Sequence, residues 1–157
     1  MCPFTAPAAF HRHRRLALDS EGPCPVGSGL AFVREALRSW QLADSPPAAD
    51  DIVLVTAELI GNAVRHGDGP RGLDLTRYGD RLRVRVTDRS PEPPRLGTGR
   101  PGGIGGHGLV IVDRLAVRWG SYPDGRGKAV WADLPLPPEL PPELPSPPAP
   151  PRLPPPR

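Results

Sequence analysis

Glu58, Asn62 and His66 stand four residues apart in the stretch ELIGNAVRHG. On a helix that spacing lines a carboxylate, an amide and an imidazole along one side, with modest drift. A solvated face would carry Lys, Arg and Glu, so an amide between two ionisable groups asks for a use. An amide oxygen is a hard ligand, and Mg²⁺ keeps several waters and needs few protein oxygens beside those of a phosphate. Asn62 can supply one. Glu58, a turn earlier, can orient a water or accept a hydroxyl proton. The plain alternative for both is solvent exposure. His66, near the end of the helix, is better explained by the macrodipole, which favours a cation there, than by catalysis.

Asp88 is the sharpest single residue. In RLRVRVTD (81–88), Leu82, Val84, Val86 and Asp88 share one side, and Arg81, Arg83, Arg85 and Thr87 the other. A carboxylate in line with an apolar face is costly unless something donates to it. Either it bonds the loop that follows, or it accepts from a ligand amine such as that of adenine. Guanine presents an acceptor at the same position. Further on, Gly102, Gly103, Gly105, Gly106 and Gly108 crowd the approach to an apolar run, GLVIVDRLA. Glycine at that density argues against regular structure. The segment is either a solvated loop or a backbone cradle, since free N–H groups at a helix start bind phosphate. GHGL (106–109) is where that contact is expected.

The elements that must position these groups follow from periodicity. A short strand is expected at 14–19. Leu30, Val33, Leu37 and Trp40 are spaced for an amphipathic helix over 30–42. Ser45 offers an N-cap with Pro46 at the first helical position, opening a helix to about residue 65 whose apolar face holds Val55, Leu59 and Ala63. Strands at 72–78 and 81–88 turn around Gly79 and Asp80. After the loop 89–107 comes a helix over 108–116. Strands at 117–122 and 128–134 then pair around 123–127. This order implies an α+β fold, a two-layer α/β sandwich with helices on one face of a mostly antiparallel sheet.

The 157 residues include 25 prolines, against a usual share of about 5%. They crowd the segment after Leu134, which has neither β-branched nor aromatic residues and cannot fill a core. The expected organisation is a disordered start at 1–13, a domain at 14–134 and a disordered proline-rich tail at 135–157. Net charge is +3 and the pI about 9.4. The arginines are scattered rather than gathered, which argues against direct nucleic-acid binding. No apolar run is long enough to span a bilayer, and the start lacks a secretory signal. Cys2 and Cys24 are too few for a disulfide framework. A cytoplasmic location is expected.

Glu-x-x-x-Asn on a helix, Asp at a strand end, a glycine-rich loop and a helix start occur here in one order. As a set, over 14–134, they resemble the histidine-kinase-like ATPase family with the Bergerat ATP-binding fold. Within it the chain is similar to anti-sigma-factor serine/threonine kinases of actinobacterial type. ELIGNAVRHG resembles the N box, VTDRSPEPP the adenine box, GGIGGHGLVIVDRLAVRWG the glycine box with its helix and strand, and KAVWADL the last strand. The resemblance implies ATP and Mg²⁺ as cofactors, with Asn62 chelating the metal and Glu58 acting in phosphoryl transfer. It implies Asp88 on adenine and Gly106 and Gly108 on phosphate. The candidate binding set is then Asn62, His66, Asp88, Gly103, Gly105, Gly106, Gly108 and Leu109. The implied partners are a sigma factor and an anti-sigma-factor antagonist carrying the substrate serine, and a homodimer is compatible with it. An ATP-binding regulatory module without kinase activity is the alternative. Two departures bear on the nucleotide: Ser90 and Pro91 follow Asp88 where the family often has a glycine, and Gly127, Lys128 and Ala129 replace a hydroxyl residue near the last strand.

Overall fold

The computed structural model describes residues 11–18, 22, 24–96 and 107–138. Its elements run β1 (His11–Ala17), α1 (Pro25–Ser39), α2 (Ala48–His66), β2 (Pro70–Tyr78), β3 (Arg81–Asp88), α3 (His107–Leu115), β4 (Arg118–Asp124) and β5 (Gly127–Pro135). The strands form one sheet in the order β1-β2-β3-β5-β4, and every neighbouring pair is antiparallel. Alternation sorts the strand residues into two faces. Leu73, Leu75, Leu82, Val84, Val86, Val130, Ala132 and Leu134 are buried and join one core with Val33 and Leu37 of α1, Ile52, Val55, Leu59 and Ile60 of α2, and Leu109 and Val112 of α3. The expected two-layer α+β sandwich is therefore the observed one.

Four boundaries differ from expectation. β1 begins at His11, inside the stretch expected to be disordered, because it pairs with β2 along its whole length from His11↔Tyr78 to Ala17↔Gly72. Asp74 of β2 also accepts from Arg15 Nε at 2.9 Å and lies 3.0 Å from His13 Nε2. α1 begins at Pro25, since a proline in the first turn gives up an N–H that has no helical partner anyway. Gly29, which breaks the apolar spacing, sits where a Cβ would overlap Ile60 Cδ1, so it lets α1 approach α2. α2 begins at Ala48 with no side-chain cap; Ser45 contributes its carbonyl, which accepts from Ala49 N at 3.2 Å, rather than its hydroxyl. At the other end the fold passes the expected boundary at 134. Leu136 is buried, and its N–H donates to Asp80 O at 2.7 Å.

The second face of the sheet carries a lattice of arginines and aspartates. Asp133 accepts from Arg83 Nε at 2.7 Å, from a second Arg83 nitrogen at 2.9 Å and from Arg118 Nε at 2.7 Å. Burial pushes its carboxyl up, but the hydrogen bonds from these guanidinium groups outweigh that and hold it at about 2. Arg83 also lies over the Trp131 ring, 4.2 Å from its centroid. Among the described residues, no helix is long and apolar enough to cross a membrane.

Candidate functional site

α2 carries the first half of the site. Val55, Leu59 and Ala63 pin its inner stripe into the core, which leaves Glu58 and Asn62 half-buried on the flank and His66 exposed at its last residue. α3 packs against this flank. Leu109, only 4% exposed, anchors the first turn of α3 in the core. Gly108 lies against Glu58, where an added Cβ would stand 2.5 Å from Glu58 Oε2. The structure thus brings the acidic residue of the helix motif to the start of the helix that follows the glycine-rich loop. Gly103, Gly105 and Gly106 lie outside the described residues.

Asp88 closes the other half. It is 1% exposed, as the inward parity of its strand requires. Its Oδ1 accepts from Ser90 N at 3.0 Å and from Lys128 Nζ at 3.1 Å, and its Oδ2 lies 2.9 Å from Lys128 Nζ. Lys128 Nζ also donates to Ser90 O at 3.3 Å. The loop bond that was the structural alternative for Asp88 is therefore present, together with an ion pair that the strand pattern alone left unassigned. Half of the signal was available, since Lys128 falls on the same side of β5 as Val130, Ala132 and Leu134; its register with Asp88 comes only from the pairing of the two strands.

The end of α2 meets the same spot. Gly67 O accepts from Arg89 N at 2.9 Å and Ser90 N at 3.0 Å. A Cβ on Gly67 would stand 2.5 Å from Asp88 Oδ2 and 2.8 Å from Ala63 O, so only glycine fits between the helix end and the carboxylate. Gly127 is held to glycine for a similar reason, since a Cβ there would overlap the Asp88 carbonyl. On the outer side, Arg71 Nε donates to that carbonyl at 3.0 Å. Ser90 and Pro91 are thus accommodated by a fixed turn in which Ser90 is buried and its Oγ accepts from Glu92 N at 3.3 Å.

The two halves fit an adenine nucleotide unequally. Around Glu58, Asn62 and Gly108 there is a carboxylate, a hard amide oxygen and a helix start without a Cβ, a donor and acceptor set suited to a metal-bound phosphate. At Asp88 the acceptor a base amine needs is occupied by Lys128.

A family model described as histidine kinase-like ATPase domain matches residues 26–134. Comparison with curated proteins returns no match. The matched span runs from the first turn of α1 almost to the end of β5 and takes in Glu58, Asn62, Asp88, Gly108 and Lys128. The chain belongs to the histidine kinase-like ATPase domain family.

Proposed function

We propose that this domain, whose family implies ATP binding, is a cytoplasmic serine/threonine protein kinase of anti-sigma-factor type. Its substrate is a serine on an anti-sigma-factor antagonist, and its other partner is a sigma factor that it sequesters. The observation that carries the reading is the approach of Glu58 to Gly108 at the start of α3. It supports a site in which a carboxylate stands beside the phosphate end of the ligand, a position that simple base binding does not require. Glu58 accepts the proton of the attacking serine hydroxyl. Asn62 would hold Mg²⁺ through its amide oxygen, and the ion would supply neutralisation of phosphate charge. The backbone N–H groups at the start of α3 face the phosphates, and Asp88 is the acceptor for the adenine amine.

The Asp88–Lys128 pair favours a second reading, a regulatory module that binds ATP without transferring phosphate. One experiment separates the two. The protein and its Glu58→Ala variant are incubated with γ-labelled ATP and candidate antagonists, and ATP affinity is measured in parallel. Phosphoserine formed by the wild type and lost in Glu58→Ala at unchanged affinity supports the kinase, because the side chain is asked to act in the transition state only. ATP binding without label transfer supports the module. Transfer at the wild-type rate by Glu58→Ala removes Glu58 from the mechanism.

A further inference from the structure

Lys128 is the single lysine of the chain, and it is placed where an apolar side chain would continue the inner face of β5. It is 3% exposed. An ammonium has three protons to donate. Three acceptors surround this one: Asp88 Oδ1 at 3.1 Å, Asp88 Oδ2 at 2.9 Å and Ser90 O at 3.3 Å. Asp88 is almost as fully engaged. A carboxylate has about four acceptor positions, and Ser90 N and Lys128 take up Oδ1 and part of Oδ2. What is left of Oδ2 lies against Gly67, where even a Cβ would be at 2.5 Å. A base amine arriving at Asp88 meets a carboxylate whose partners are already in place.

We propose that Lys128 is the specificity-determining gate of the base subsite: its ammonium must leave Asp88 before an adenine amine can bind there. The proposal rests on the assignment of Asp88 to the base in the function proposed above. It makes nucleotide affinity a property of the Asp88–Lys128 pair. When only a fraction of molecules is competent, the apparent dissociation constant rises by the inverse of that fraction. A pair open in about one molecule in ten therefore weakens binding about tenfold. Lys128→Thr removes the competitor and leaves a hydroxyl able to donate one hydrogen bond to the carboxylate.

The test uses the full chain in two arms. In the first, calorimetry with Mg-ATP compares the wild type, Lys128→Thr, and Asp88→Asn in the Lys128→Thr background. Lys128→Thr is expected to bind about tenfold or more tightly than the wild type, and the added Asp88→Asn to remove the gain. Unchanged or weaker binding by a folded Lys128→Thr overturns the gate. In the second arm the wild type is labelled with ¹⁵N-lysine, which gives one side-chain amine resonance. Saturation with Mg-ATP is expected to move it from a protected, ion-paired position to that of a solvent-exposed lysine. A resonance unmoved while ATP is bound overturns the gate and leaves the proposed function standing. This arm decides alone if Lys128→Thr does not fold. Failure of all the variants and of the wild type to bind Mg-ATP overturns the proposed function, and the gate with it.

Discussion

Replacing Asp88 by Asn is expected to destabilise the fold by about 3–5 kcal/mol before any ligand is considered. The side chains of Lys128 and Asp88 are 4% and 1% exposed, with Nζ 2.9 Å from Oδ2. The amide oxygen introduced by Asp88→Asn would still accept from Ser90 N, so the turn survives; what disappears is the charge opposite a buried ammonium. That loss is a large part of a total stability of about 5–15 kcal/mol. For a domain of this size it corresponds to a fall in Tm of about 10–20 °C. Removing both charges reverses the effect: Asp88→Asn combined with Lys128→Met should return to within about 2 kcal/mol of the wild type, because a buried ion pair replaced as a unit is often neutral. Urea denaturation of the wild type, both single variants and the double variant completes the cycle. A loss below about 1 kcal/mol for Asp88→Asn, or a double variant no more stable than Asp88→Asn alone, would refute the reasoning. The cycle also bears on binding, since loss of ATP affinity in Asp88→Asn alone mixes a lost base contact with a damaged fold.

Three further outcomes are expected alongside the Glu58→Ala result. Asp133, held at about 2 against an ordinary 3.8, contributes about 2 kcal/mol. Because its folded value is depressed, that stability is present above about pH 4 and lost as the pH falls toward 2; urea unfolding across this range should show a drop that Asp133→Asn lacks. Gly108→Ala should leave Tm unchanged or slightly raised, since Ala suits a helix, yet it displaces the free end of Glu58 and should reduce phosphoryl transfer as far as Glu58→Ala does in the labelled-ATP assay. A chain ending after Leu134 should lose about 2 kcal/mol through the exposed Leu136 site, whereas one ending after Pro138 should melt with the full chain.

The inner and outer faces were legible because a strand alternates strictly. Leu82, Val84, Val86 and Asp88 lie on the buried side as read, and Arg81, Arg83 and Arg85 on the other. The helix face of Val55, Leu59 and Ala63 was equally plain, and beside it Glu58 and Asn62 are half-buried and His66 exposed. β1 was cut short because HRHRR has no apolar alternation; its partner strand, distant in sequence, makes it a strand. α1 was begun too late because prolines and glycines read as a loop until their packing against α2 is known. Lys128 was noticed only as a replacement for a hydroxyl. Its meaning depends on a register between strands 40 residues apart, which single-strand patterns do not contain.

Among the described residues β1 is one of the two edge strands of the sheet, and five consecutive basic or imidazole side chains, His11 to Arg15, fill most of its length. Arg14 is answered by Glu35, and His13 and Arg15 share Asp74, so the rim keeps more basic groups than the two carboxylates that answer them. Unpaired strand edges invite further strands, and charge along the edge is a common defence. A second copy laying its own β1 alongside would bring guanidinium against guanidinium at the strand spacing of about 4.8 Å, and like charges directly opposed weaken a pair. Salt at physiological strength screens over about 8 Å, too far to remove that repulsion. The rim therefore discourages the chain from extending its sheet with itself, and any strand that does join there must bring acidic side chains of its own.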